Sequence, residues 1–266
     1  MVNTLTINIS AVLALVPATL YQFGRGDRSG TIFWATITVA EAGSVAAIWL
    51  SFDGVWRTGF SLALWITVAL SILLYAGLAA GTKTCRQLGP LLLPYLLGLG
   101  ILATLWGQAP GRPMITAAPL GWIGLHIATS ILTYAILTLA AVSGLAVTLQ
   151  ERSLNSKRPT SLNRILPSIA DAERLQVGLM IAAQVVLSLG LVSGMATQFF
   201  TTGDFLVLDH KILLTLAAFL TIGGMLVVHF RTGLRGRKAA RVVLVAYLLL
   251  TLGYPGVKFV TDVLLV

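Results

Sequence analysis

The 266-residue chain is short of charge: 18 Lys and Arg with 9 Asp and Glu make up 10% of it, where a soluble globule carries about a quarter. That deficit excludes a soluble enzyme, a nucleic-acid module and a disordered chain. It also leaves the formal charge of +9 to be explained by topology, because basic residues of membrane proteins collect in loops on one side. Cysteine is nearly absent. With Cys85 alone, no internal disulfide, CxxC redox pair or CxxCH haem attachment can form, so any cofactor must be held by other side chains. Histidine is scarce as well, at three residues, and no HExxH or His-carboxylate cluster is present, which argues against metal-dependent hydrolysis. The first apolar run lacks a basic leader and is longer than the core of a cleavable signal, so it reads as a span.

What the chain has in quantity is apolar sequence, 57% of it, with a mean hydropathy of +0.91. A spanning helix needs about 20 mostly apolar residues. Cutting wherever charge or Pro and Gly clusters interrupt such runs gives eight segments, 4–23, 31–51, 60–80, 90–107, 120–149, 176–199, 210–230 and 240–259. The expected fold is therefore an all-α integral membrane bundle of eight transmembrane helices. Connections after the odd-numbered spans hold 14 of the 18 Lys and Arg, the largest groups being Arg152, Lys157, Arg158, Arg164 and Arg174, and Arg231, Arg235, Arg237, Lys238 and Arg241. The opposite side holds Arg57, Arg112, Lys211 and Lys258. By the positive-inside rule the first set is cytoplasmic and both termini lie outside, in a bacterial inner membrane.

The fifth span, 30 residues, makes a helix of about 45 Å against a hydrocarbon core of about 30 Å, so it must tilt or protrude. The loop 150–175 follows, in which Ser168 and Asp171 resemble a capping box before span 6. No repeat is visible. The chain reads as a single membrane domain, 1–266, with an N-terminal four-helix half at 1–119 and a second half at 120–266.

Ionisable groups inside such a bundle are functional candidates by default. His126 lies one to two turns inside the outer end of span 5, and His210 opens span 7 at the same face. His229, 19 residues further on, is about 28 Å away along a helix and so at the cytoplasmic end. The bland readings are a hydrogen-bonded interface residue for His126, an interfacial neighbour of Asp209 and Lys211 for His210, and a headgroup-level extension of the Arg231 cluster for His229. The chemical reading is haem ligation, since two neutral imidazoles hold haem without a thioether. Trp122, Tyr134, Phe199, Phe200 and Phe205 would supply an apolar slot, although Trp and Tyr also gather at interfaces. Glu41, near the middle of span 2, reads either as part of an ion relay or as a carboxyl bonded to Thr38 or Ser44. Pro94 and Pro255 interrupt spans 4 and 8. Gly190 and Gly194 form a GxxxG that permits close helix contact, internal or between copies.

Several motifs follow one another in order: Leu125-His126-Ile127, Thr133-Tyr134-Ala135, Leu149-Gln150-Glu151, Leu166-Pro167-Ser168, Gly194, Asp209-His210-Lys211 and His229-Phe230-Arg231. In that order and spacing, over 121–256, the chain resembles the CcsA-type cytochrome c assembly family, and most closely its YpjD and HemX-like branch. The resemblance implies haem handling in cytochrome c biogenesis. It matches His126 to an outer-face haem ligand, His229 to a ligand within the membrane, and Asp209 and Lys211 to the end of the haem-presenting loop. The family's Trp-rich stretch is missing, since residues 194–209 contain no Trp, and no His follows His229. His210 stands at the depth of His126, and a His126–His210 pair is expected as two axial ligands of a non-covalent haem b.

The resulting expectation is a haem-binding or cytochrome c assembly-like protein that is not an enzyme by itself. Its expected partners are the lipid bilayer and another biogenesis protein or an apocytochrome, with no nucleic acid. The alternatives are a small-solute or metal-ion transporter, or an accessory subunit of one, with Glu41 and Asp209 as waypoints, and a structural partner that binds through small-residue faces.

Overall fold

The computed structural model of the chain describes residues 4–24, 28–51, 57–107, 112–113, 118–157, 160–204 and 209–260. Phe205 lies outside them. In chain order the elements are α1 (Thr4–Tyr21), α2 (Thr31–Leu50), β1 (Arg57–Thr58), α3 (Phe60–Gly81), α4 (Lys83–Arg86), α5 (Gly89–Leu105), β2 (Arg112–Pro113), α6 (Leu120–Ser156), α7 (Ile169–Thr202), α8 (His210–Thr232) and α9 (Gly236–Thr251). A π turn at Leu252–Gly256 and the short α10 (Val257–Phe259) complete the order. Among the described residues seven segments are long and apolar enough to cross a bilayer, the last being Gly236–Gly256, and α5 is a shorter apolar helix of 17 residues. Each run marked by hydropathy is thus a helix, with α5 falling short of the full length.

The helices overrun the apolar runs where polar residues still favour helix. α6 continues through Glu151 and Arg152 to Ser156, and α7 begins at Ile169, seven residues ahead of the apolar run. Ser168 caps α7: its Oγ accepts the Asp171 N–H at 3.2 Å and donates to the Asp171 carboxylate at 2.6 Å. Gly203 and Gly233, at φ of 82° and 70°, end α7 and α8 in the left-handed region that costs glycine nothing. Pro255 lacks the N–H that an α-helix requires there, and the chain widens into the π turn around it. Pro94, by contrast, is carried inside a continuous α5.

α6 is the central element: 83% of its most apolar window is buried. It packs against α7 and α9 on one side and α3 and α5 on the other, while α1 sits on α2 and α5. Trp65, Tyr75 and Phe33 are among the largest fully buried side chains. The β1–β2 pair joins the α2–α3 and α5–α6 connections in antiparallel register, Arg57 opposite Pro113.

The two halves share one apolar core cluster, and a hydroxyl network crosses between them. The Tyr95 hydroxyl of α5 meets that of Tyr247 on α9. Tyr247 donates to Tyr134 Oη at 3.1 Å, Tyr134 pairs with Thr251 Oγ1 at 3.1 Å, and Thr138 Oγ1 donates to Tyr247 at 3.3 Å. Buried hydroxyls in hydrocarbon surroundings are costly unless they find such partners.

Glu41 corrects an expectation. Ser44 Oγ donates to its own helix at Ala40 O, 2.9 Å away, and Thr38 is exposed, so neither serves the carboxylate. Glu41 Oε2 is buried without a partner. Hydroxyl groups in helices satisfy themselves on the preceding turn, and that local bond wins here.

Candidate functional site

One end of the C-terminal half opens into a cavity of about 290 Å³, lined by α6, α7, α8, the end of α9 and the π turn. Its apolar walls include Leu187, Leu191, Met195, Ile212 and Leu250. That size falls at the lower edge of small-molecule sites. The wall hydroxyls are spent locally: Ser130 donates to His126 O at 2.6 Å, Thr133 to Thr129 O at 2.7 Å and Thr215 to Lys211 O at 2.9 Å. The Tyr134 hydroxyl is held by Tyr247 and Thr251, and the other polar side chains on the lining are His126, Gln198, Asp209, Lys211 and Tyr254.

His126 is positioned by the GxxxG of α7. Its Nδ1 lies 3.0 Å from Gly190 O; a carbonyl only accepts, so Nδ1 carries the hydrogen. In the neutral ring that leaves the lone pair on Nε2. Gly194 makes the approach feasible, because a Cβ there would sit 2.9 Å from His126 Cε1 and 3.1 Å from Nδ1. The two glycines thus serve internal α6–α7 packing with the imidazole as the inserted group. An imidazole that donates one N–H to a backbone carbonyl and keeps the other nitrogen bare is the usual arrangement of a metal-ligating histidine.

Asp209 and Lys211 reach the same cavity from α8. Asp209 caps the helix, accepting the Ile212 N–H at 2.8 Å. His210 and Trp122 are exposed and do not line the cavity. Adjacent positions of a helix point about 100° apart, so with Lys211 on the lining His210 is carried away from it. Phe199 and Phe200 are 40% and 49% exposed and pack on each other, outside the lining. Among the described residues of the expected aromatic slot, Tyr134 borders the cavity and the others do not, and Tyr254 joins it.

His229 lies in a different place. Its Nδ1 donates to Leu234 O at 2.8 Å, and it borders a second cavity of about 300 Å³ with Ala170, Glu173, Arg174, Val177 and Arg235. This cavity is at the opposite end, where α6 and α8 finish and α7 and α9 begin. Sequence reasoning had no signal for Gln198, Met195 or Leu187 as lining residues. Tyr254 had one, its place beside Pro255 in an otherwise apolar span.

Comparison with known proteins places the chain in a family. The family described as Cytochrome C assembly protein matches residues 55–265. A 28.8 kDa Azospirillum brasilense protein, described as uncharacterized and located in a nifR3-like 5' region, is 50% identical over 270 residues, which cover all of both chains. No solved structure matches. With most of its length matched, this chain belongs to the cytochrome c assembly protein family.

Proposed function

We propose that the protein handles haem in cytochrome c assembly, holding haem b non-covalently in the cavity at His126. The observation that carries this reading is the fixed imidazole: Nδ1–H on Gly190 O at 3.0 Å, with Nε2 free beside an apolar wall. A bound haem would supply an iron atom that accepts an imidazole nitrogen as ligand. In this chain His126 is the residue that would provide it. Gly190 O holds the imidazole tautomer, and Gly194 keeps the space into which the ring packs. Lys211 offers a positive charge to carboxylates on the ligand, and the Asp209 cap fixes the start of the helix that carries it. His210, outside the lining, is left out of the ligand set in favour of Lys211's side of the helix. The second cavity has only Ala170 and Val177 as apolar lining, a poor fit for a porphyrin, so His229 is not assigned to haem.

In this reading α5 is the eighth crossing, 17 residues giving about 25 Å of helix. The Arg-rich end is cytoplasmic and the His126 cavity opens on the outer face of a bacterial inner membrane. There it would meet an apocytochrome or another assembly protein. No chemical reaction is assigned to the chain itself. Family membership does not favour the solute-transport alternative.

The test is genetic. A deletion strain should lose c-type cytochromes by haem staining, regain them with the wild-type chain, and fail to regain them with His126→Ala expressed at the same level. Normal c-type cytochromes in the deletion strain would remove the proposal.

A further inference from the structure

The second cavity has a chemistry of its own. We propose that it is a binding site for a phosphate group, specifically the headgroup phosphate of an anionic lipid in the leaflet at the Arg-rich end. The inference does not depend on the haem reading.

Arg174 and Arg235 both line the cavity. Among the described residues, neither guanidinium has an ion-pair or hydrogen-bond partner. The nearby carboxylates are committed elsewhere. Glu173 accepts the Gly236 N–H, and Glu151, from the end of α6, accepts the Arg237 N–H at 3.2 Å. Both acids thus bond the N-terminus of α9 and not the guanidiniums, and on the lining the two arginines outnumber the one carboxylate, Glu173. The cavity also lies at the first turns of α7 and α9, whose dipoles add positive potential.

The turn that presents Arg235 is built rigidly. Gly233 and Gly236, at φ of 70° and 66°, bracket an extended Arg235 at φ −140°. His229 ties the turn to α8 through Leu234 O, and Glu173 ties it to α7 through Gly236 N. Guanidinium forks match phosphate oxygens in a bidentate way. The helix surface that continues the cavity is greasy: Ile181 and Val185 follow Val177 at four-residue steps along the same face of α7 and are 41% and 57% exposed. Acyl chains can lie along it below a headgroup seated in the cavity, which favours a lipid over a soluble phosphate.

The experiment is native mass spectrometry of the full-length protein in a neutral detergent, titrated with phosphatidylglycerol, phosphatidylcholine or inorganic phosphate. Wild-type protein should retain one phosphatidylglycerol in preference to phosphatidylcholine. The Arg174→Gln/Arg235→Gln variant should bind it about 30-fold more weakly, at roughly one surface-charge increment per arginine. An Arg231→Gln/Arg241→Gln variant, with the same charge change outside the cavity, should stay close to wild type. Displacement of the lipid by inorganic phosphate would support the site while assigning it to soluble phosphate. Equal losses in the two double variants would overturn the proposal by reducing it to general attraction. Equal retention of phosphatidylcholine by wild-type protein would overturn it without any variant having to fold.

Discussion

Gly194→Ala offers the sharpest perturbation of the His126 site. The added methyl carbon would stand 2.9 Å from Cε1 and 3.1 Å from Nδ1 of His126, whereas unstrained carbon contacts are about 3.5–4.0 Å. The imidazole must therefore retreat by roughly 0.6 Å or more. The Nδ1–H···O contact with Gly190, now 3.0 Å, would stretch beyond useful hydrogen-bond length. Losing that bond costs about 1 kcal/mol, while replacing a mid-helix glycine with alanine returns about 1 kcal/mol of helix propensity. The melting temperature should consequently move little. Haem affinity should fall by about 10- to 100-fold, the usual effect of removing the group that orients a ligating histidine. The assay is absorbance titration of detergent-purified protein with haem, alongside a thermal melt. Gly178→Ala, on the same helix with nothing within 4 Å of the new methyl, is the control and should bind as wild type. Equal haem affinity in Gly194→Ala and wild-type protein would refute the argument that the glycine seats the imidazole.

Other consequences are checked more simply. Gly236→Ala places a side chain at φ 66° and against the Glu151 carboxylate, so it should destabilise the protein by about 2 kcal/mol; a tryptophan-fluorescence melt matching that of Gly224→Ala would contradict this. Burial pushes the Cys85 thiol from 9.0 up to about 12, so maleimide labelling at neutral pH should be slow in folded protein and fast after unfolding in dodecyl sulfate. Because the folded thiol keeps its proton while the unfolded one ionises, the Cys85 contribution to stability is whole below about pH 9 and is lost as the pH rises toward 12; a Cys85→Ala variant with the same alkaline loss of stability as wild type would show that it lies elsewhere. Tyr247→Phe takes the Tyr95 hydroxyl's partner away in the buried interface between the halves, while Tyr134 keeps Thr251 and Thr138 keeps Tyr134 O, and should cost about 1–3 kcal/mol; an unchanged melt would mean that the network contributes no net stability.

Much of the bundle was legible because lipid imposes its demands on the sequence directly. Hydropathy marked each helical run, and Ser168 marked the start of α7. Hydropathy marks where a bilayer begins, however, and not where a helix ends. Glu151 and Arg152 are good helix formers, so α6 runs on to Ser156 past the boundary drawn at Leu149. The site was legible in parts. His126 and Gly194 each stood out alone, yet their contact exists only through α6–α7 packing. Asp209, His210 and Lys211 are consecutive, and composition cannot say which of them lines the cavity. The structure places Lys211 on the cavity lining and His210 outside it, both of them exposed. The tyrosine network joins residues 152 positions apart, a pairing that no local pattern encodes. Glu41 was misread because a serine in a helix has a nearer acceptor than the neighbouring side chain.

The central claim is that His126 grips haem at one end of this bundle. Equilibrium titration of the full-length protein with haem, followed by absorbance for wild type and for His126→Ala, His210→Ala and His229→Ala, tests it most directly. The account predicts one saturable haem per chain in the wild type and in the His210 and His229 variants, and loss of the saturable site in His126→Ala alone. An unchanged titration in His126→Ala, or a loss that follows His229 instead, would contradict it.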